Sequence, residues 1–174
     1  MMPKAKTAAS IIGLLLSFCT IASSQTKKPA RIQGKGPETM KTVAKGTFEV
    51  KMTPLTAEEN VGDATIGRLG MSKTYSGDLA GTAKGQMLGS QSEAVPGSGG
   101  YVAMERVTGT LNGKKGSFTL QHIGTMQGGK FDLNVAVVPD SGTGELTGIA
   151  GKLKIIIDGD KHLYEFEYSM PGAK

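Results

Sequence analysis

Apolar and polar residues alternate along most of the chain after Gly46, with the period of two that is typical of half-buried β-strands. The clearest case is the segment 117–126, in which one face is formed by Phe118, Leu120, His122, Gly124 and Met126. Mostly polar residues form its other face, so the first face is predicted to be the interior. No segment after Gly46 has a convincing helical period, and the chain is therefore expected to be all-β.

The dipeptide Asn112-Gly113 predicts a tight hairpin between this strand and the strand before it. A two-residue loop and a four-residue loop both pair Leu111 with an even-numbered residue. Either loop therefore places Glu105 on the interior face with His122, because directly opposed residues share a face. The four-residue loop would set the two residues opposite each other, and the two-residue loop would make them diagonal neighbours. Only a three-residue loop would separate them.

Two later turns extend the same interior. A two-residue turn at Gly128-Gly129 would place Met126 opposite Phe131 and His122 opposite Val135. The run Asp158-Gly159-Asp160 closes another hairpin. It sets three apolar residues before the turn, Leu153, Ile155 and Ile157, against three residues after it, His162, Tyr164 and Phe166. Five strands thus agree on one interior, and this agreement is stronger support than any single alternation.

Three more strands are predicted upstream. The first begins at Gly46 and ends at Pro54, and the third lies near 81–90. The second has Leu69, Met71, Lys73 and Tyr75 on one face. Eight evenly spaced strands in residues 46–171 predict a single eight-stranded antiparallel β-barrel, with a two-sheet sandwich as the alternative. The interior of such a barrel is either filled by side chains or wide enough for one small ligand.

The N-terminal segment 1–24 has the pattern of a secretory signal peptide. Lys4 and Lys6 precede an apolar run that ends in small residues before Gln25, and the run is too short for a typical membrane span. We therefore expect a secreted or periplasmic protein with no membrane span after cleavage. Lipidation of Cys19, the single cysteine, is the less favoured alternative, because the bulky Phe18 precedes it.

Residues 25–45 are predicted to form a flexible basic leader, since they are rich in lysine and have no apolar period. The formal net charge of +5 is concentrated in this leader and in the signal segment. From Gly46 onward, 12 basic residues stand against 14 acidic ones, which gives a net charge of −2. The folded part therefore lacks the basic footprint of a nucleic-acid-binding domain, and no nucleic-acid partner is expected.

Three long motifs resemble a bacterial domain-of-unknown-function family, number 3224. They are MSKTYSGDLAGTAKGQML at 71–88, GYVAMERVTGTLNGKKGSFTLQHIGTM at 100–126 and VVPDSGTGELTGIAGKLKI at 137–155. That family is placed among barrels similar to allene oxide cyclase and dirigent proteins, so the resemblance implies an eight-stranded barrel with a cavity. No activity is established for the family. The resemblance therefore supplies a fold and a place to look for a site.

Glu105 and His122 form the candidate catalytic pair. A carboxylate beside an imidazole raises the pKa of the imidazole and orients its ring, which suits proton transfer to a bound organic molecule. A structural alternative has equal weight: Glu105 and His122 could be a buried, hydrogen-bonded pair that only stabilises the strand register. Buried polar groups are normally partnered whether or not they react.

The remaining candidate residues are predicted to contact a ligand in the same interior: Tyr101, Tyr164, Tyr168, Met87 and Lys73. Tyrosine gives an apolar wall with a hydrogen-bonding tip. Lys73 shares the interior face, although lysine usually extends toward the end of a barrel. Two histidines on separate hairpins, without a cysteine, are thin support for a metal. We predict neither a metal nor a cofactor.

Three functions remain open after these observations. The first is an exported barrel that binds a small apolar or amphiphilic molecule in its lumen. The second is a cofactor-free isomerase or cyclase in which Glu105 and His122 move protons. The third is a structural or interaction module with a filled core, and homo-oligomerisation is compatible with each of them.

Overall fold

The structure is a computed structural model, and it describes residues 41–56 and 66–172. The predicted signal peptide, with Cys19, and nearly all of the predicted leader lie outside the described residues. The described residues form nine strands: β1 (Thr42–Leu55), β2 (Gly67–Gly77), β3 (Leu79–Gln91), β4 (Gly99–Leu111), β5 (Lys114–Gln127), β6 (Lys130–Val137), β7 (Thr143–Gly144), β8 (Ala150–Asp158) and β9 (Lys161–Ser169). They contain no helix long and apolar enough to cross a membrane.

Eight of the strands close into an antiparallel barrel, as the alternation predicts. The strands follow the order β4-β3-β2-β1-β9-β8-β6-β5, and pairing between β4 and β5 closes the ring. The two-residue strand β7 is an addition, paired with β5 at Gly116 and Ser117. The pairing between β6 and β8 is limited to Ala136 and Lys152, whereas the other neighbouring strands pair over seven or more residues. Each strand of a barrel has one inward and one outward face, so alternation is expected in every one of them.

The hairpin between β4 and β5 has the two-residue loop. Leu111 pairs with Lys114, and Asn112 and Gly113 have positive φ angles of 47° and 81°, as a type I′ turn requires. In this register Ala103 is opposite His122 and Glu105 is opposite Leu120. Glu105 and His122 are therefore diagonal neighbours on the inner face. The interior pairings predicted from the two later turns are also present.

Strand β1 is longer than predicted at both ends. It begins at Thr42 rather than at Gly46, because residues 42–48 pair with β9 and the Ala44 side chain is fully buried. It continues through Pro54 to Leu55. The pairing with β9 ends at Phe48, so Pro54 lies on a stretch that pairs with β2 alone. A missing backbone N–H is tolerated at such an edge position.

One half of the barrel interior is filled by side chains. Phe118 stacks on Phe166, and Phe166 packs against Tyr168, with ring centroids 5.5 and 5.3 Å apart. The segment that follows β7 closes this end, because it places Leu146 and Ile149 in the core. The GTG motif at 142–144 is therefore part of a barrel cap.

The Tyr164 hydroxyl lies inside the filled half and satisfies the backbone where β3 begins. The backbone N–H of Leu79 donates to this hydroxyl at 2.8 Å, and the hydroxyl lies 3.2 Å from the Leu79 carbonyl oxygen, to which it donates. Both residues are almost fully buried. The Tyr164 hydroxyl therefore has a structural role, because it satisfies the hydrogen-bonding groups of the buried Leu79 backbone.

Substitution of Tyr164 by Phe is expected to lower the free energy of unfolding by about 1–3 kcal/mol, because it leaves the Leu79 N–H buried without an acceptor. Urea unfolding followed by circular dichroism measures this loss. Tyr168→Phe is the matched control, since its partner, the Asn112 side-chain amide, is exposed and can turn to water. An equal loss in both variants would contradict the role given to the Tyr164 hydroxyl.

Candidate functional site

Four polar side chains meet inside the barrel where its filled half ends. Lys73 and Tyr75 project inward from β2, Glu105 from β4 and His122 from β5, and at most 5% of each residue is exposed. Strand β3 separates β2 from β4, and its inward residues near the cluster are small. Ala83 is paired with Lys73, and Gly85 is paired with Glu105. These two residues leave the space across which the β2 side chains reach Glu105.

The carboxylate of Glu105 is the centre of the cluster. The Lys73 ammonium donates to Oε2 at 2.6 Å, and the Tyr75 hydroxyl donates to Oε1 at 2.7 Å. His122 Nε2 lies 3.0 Å from Oε2, but its N–H direction gives no aligned hydrogen bond, so Nε2 is a buried nitrogen without a partner. Three potential proton donors thus surround one carboxylate, and His122 Nε2 remains able to form a further hydrogen bond.

Two aromatic rings lie beside the Lys73 ammonium. Lys73 Nζ lies 4.7 Å from the centroid of the Phe48 ring and 5.7 Å from that of the Tyr75 ring. The negative faces of these rings attract a cation, and the attraction is stronger in a desolvated site. The ammonium is therefore held by a carboxylate and two aromatic rings in place of water.

The cluster shifts the acidity of its members. Burial alone would raise the pKa of Glu105, but the contacts with His122, Lys73 and Tyr75 outweigh burial and hold this pKa below its ordinary value. Burial and the Glu105 charge both raise the pKa of Tyr75, as they do for Tyr101. At neutral pH the carboxylate is ionised and the phenols keep their protons, so the cluster can both accept and donate a proton.

The cluster borders a cavity of about 320 Å³ in the other half of the barrel. Most of its wall is apolar, and the residues that form the wall around Lys73 and His122 include Phe48, Val50, Met71, Met87, Ala103 and Leu133. Tyr101 covers Gly124 on the neighbouring strand, where a side chain would collide with its ring. Phe131 and Ile157 are largely exposed and mark the rim on the side of β6 and β8.

The structure brings together five of the seven residues predicted from the sequence. Glu105 and His122 are in contact, Lys73 pairs with Glu105, and Met87 and Tyr101 line the cavity. Tyr164 and Tyr168, the other two predicted residues, do not line this cavity. Both side chains belong to the core, where their hydroxyls bond to Leu79 and Asn112, because their positions on β9 are on the side of the closed end.

Tyr75 and Phe48 were not predicted as site residues. Alternation placed each of them on the interior face, and Tyr75 follows Lys73 by two residues on that face. This spacing signals that the two side chains are neighbours. It does not show that both bond to a carboxylate two strands away. Within the described residues, no group of three His, Cys, Asp or Glu side chains is arranged to hold a metal ion.

Replacement of Glu105 by Gln is expected to cost about 3–5 kcal/mol of unfolding free energy at neutral pH, because it leaves the Lys73 charge buried without its partner. The lowered pKa of Glu105 means that its stabilisation is present above the ordinary glutamate pKa. This stabilisation is lost as the pH falls through the folded-state pKa. Urea unfolding should therefore show the stability difference between wild type and variant shrinking in acid.

The control variant is Glu165→Gln, which removes an exposed carboxylate paired with Lys45 on the outer surface. Its effect should be much smaller at neutral pH, because surface ion pairs are screened by solvent. A stability difference for Glu105→Gln that stays constant from neutral to acidic pH would show that the carboxylate is not ionised in the folded barrel.

Comparison with known proteins assigns the chain to a family. The family model described as "Protein of unknown function (DUF3224)" matches residues 44–168. The crystal structure of a protein with unknown function from the DUF3224 family of Shewanella oneidensis MR-1 is similar to this chain, with 43% sequence identity and a TM-score of 0.70. The match covers 77% of this chain and 100% of that chain. A search of curated proteins finds no match. The chain therefore belongs to the DUF3224 family.

Proposed function

We propose that this protein binds a small apolar or amphiphilic molecule in the open half of the barrel lumen. The observation that carries the proposal is the cavity of about 320 Å³, which has an apolar wall and ends on a buried polar cluster. Ligand sites are typically concave, mostly apolar and equipped with a few polar groups that orient the ligand. The cavity has each of these properties.

The volume and the polarity of the cavity limit the ligand. The cavity lies at the low end of the roughly 300–1,000 Å³ that is usual for ligand sites, so a molecule of modest size fits it best. The apolar body would contact methionine and aliphatic side chains, and methionine adapts to varied shapes. A polar end would face Lys73 and His122 at the inner end, or His162 and Tyr101 nearer the rim.

Filling the cavity should remove binding. Ala103 is inward-facing and lies between Met87 and His122 in the barrel wall, so Ala103→Leu adds a bulky side chain to the cavity. The neutral fluorophore N-phenyl-1-naphthylamine serves as the probe, and its fluorescence should rise when it enters an apolar site. We expect Ala103→Leu to weaken this binding about tenfold or more, because the leucine occupies the space of the probe.

Val102→Leu is the matched control, because Val102 is the adjacent residue and projects from the outside of the barrel. It should bind the fluorophore as the wild type does. Circular dichroism checks that both variants fold. Equal fluorescence in all three proteins, or no rise in any of them, would contradict lumen binding and favour a module whose interior serves the fold alone.

A second candidate function is that of a cofactor-free isomerase or cyclase, in line with the resemblance to allene oxide cyclase barrels. The position of His122 favours it: the imidazole lines the cavity, and its Nε2 lies 3.0 Å from the Glu105 carboxylate, which could take up a proton that the imidazole removes from a bound molecule. Both groups are kept away from water by the barrel. Their proton transfer would be directed to the cavity.

This function predicts that the protein accelerates the exchange of cyclohexanone α-hydrogens for deuterium in heavy water, followed by proton NMR. The exchange should fall to the background rate in His122→Asn, which removes the imidazole, and should persist in the surface variant Glu165→Gln. Background exchange in the wild type, or full exchange in His122→Asn, would contradict the role of His122 in proton transfer.

A further inference from the structure

Lys73 differs from every other lysine that the structure describes. Only 5% of Lys73 is exposed, whereas each of the other lysines in residues 41–56 and 66–172 is exposed to solvent. Its side chain lines the lumen cavity, and its amino group lies 2.6 Å from the Glu105 carboxylate. An amine with an adjacent proton acceptor therefore borders a space where an organic molecule fits.

The burial of this ion pair needs an explanation other than stability. Removing two charges from water costs several kcal/mol per ion, and replacing a buried ion pair by apolar residues of similar volume is often neutral or stabilising. The surrounding wall is already apolar, so such a replacement would suit the local packing. Buried titratable groups beside a cavity are enriched at functional sites, and lysine is a nucleophile once it loses its proton.

We propose that Lys73 captures a small aldehyde or ketone in the lumen by forming an imine with its carbonyl carbon. This inference rests on the proposed lumen binding and names the chemical class of the ligand. The apolar wall would hold the carbon skeleton, and the carbonyl group would lie at the inner end of the cavity. The amine, the proton acceptor and the cavity are the three parts that the reaction requires.

The reaction balances with groups that the cluster supplies. Glu105 takes one proton from the Lys73 ammonium, and the amine lone pair forms a bond to the carbonyl carbon while the C=O electron pair moves to oxygen. A proton passes from nitrogen to this oxygen and gives the carbinolamine. Protonated Glu105 then donates to the hydroxyl, water leaves, and the nitrogen lone pair completes the C=N bond. The products are water, a protonated imine and an ionised Glu105.

The site would stabilise the protonated imine as well as it stabilises the unreacted Lys73 ammonium. The protonated imine carries the same charge as the ammonium, so the pairing with the Glu105 carboxylate persists after the reaction. The rings of Phe48 and Tyr75, which lie within 6 Å of the ammonium, would also attract the iminium cation. The Tyr75 hydroxyl donates to Glu105 Oε1 and lies 3.4 Å from Lys73 Nζ, from which it accepts, so it helps to hold the amine and the carboxylate together.

Reductive trapping tests the proposal directly. The purified protein is incubated with hexanal and sodium cyanoborohydride, which converts an imine to a stable secondary amine, and peptide mapping by mass spectrometry locates the adduct. We expect Lys73 to be alkylated at least ~10-fold faster than any exposed lysine, because the cavity holds the aldehyde beside the amine. Labelling confined to exposed lysines would overturn the proposal.

Exposed lysines in the same sample are internal controls, so the test does not depend on a variant that folds. Lys84, on the adjacent strand β3 and outside the barrel, is the closest comparison. In Lys73→Met the fast labelling should disappear, and in Lys84→Met it should persist. Fast labelling that remains in a folded Lys73→Met variant would assign the reaction to another lysine and overturn the proposal.

A second measurement separates this proposal from lumen binding itself. Hexanal and hexan-1-ol are each tested, without reductant, for displacement of N-phenyl-1-naphthylamine from the protein. Displacement by both compounds together with a Lys73 adduct supports both proposals. Displacement without an adduct at Lys73 overturns imine formation and leaves lumen binding standing. A failure of both compounds to displace the bound fluorophore, with no adduct, overturns imine formation together with binding of this ligand class.

Discussion

The buried carboxylate of Glu105 is the constraint on which the interior of this barrel depends. A carboxylate can be ionised away from water only if hydrogen bonds and opposite charge replace its hydration. Here the Lys73 ammonium and the Tyr75 hydroxyl, both from β2, supply this replacement across β3, and His122 approaches from β5. The cluster thereby links three of the eight barrel strands through their side chains. It also marks the boundary at which the filled half of the lumen gives way to the cavity.

The two halves of the lumen differ because the inward residues differ in size and in their polar atoms. Aromatic rings and the residues of the cap, including Phe118, Phe166 and Leu146, fill the closed end. Methionine, alanine and glycine at the other end, such as Ala103 and Gly124, leave space between the strands. One barrel therefore combines a packed core, which stabilises the fold, with a site that can remain partly empty.

The barrel could be predicted from the sequence because apolar and polar residues alternate along each strand and residues typical of tight turns mark the hairpins. Asn112-Gly113 was compatible with loops of two or four residues, and both have the parity that places Glu105 and His122 on one face. The bonding of Glu105 to Tyr75 could not be predicted, since the two residues lie on β4 and β2, which are separated by β3 and do not pair with each other. The position of Tyr164 near the closed end depends on how far each strand extends along the barrel, which alternation does not encode.

The charge balance of the cluster also limits what the cavity can hold. Lys73 and Glu105 carry opposite charges 2.6 Å apart, so the inner end of the cavity has little net charge with which to retain an anion or a cation. An ionic ligand would lose its hydration in an apolar space without gaining a free counter-charge. A neutral molecule loses less hydration there, and a carbonyl group can accept hydrogen bonds from the donors around Glu105. For the proposed lumen binding, the same ion pair that makes the interior costly to fold would therefore favour neutral ligands over charged ones.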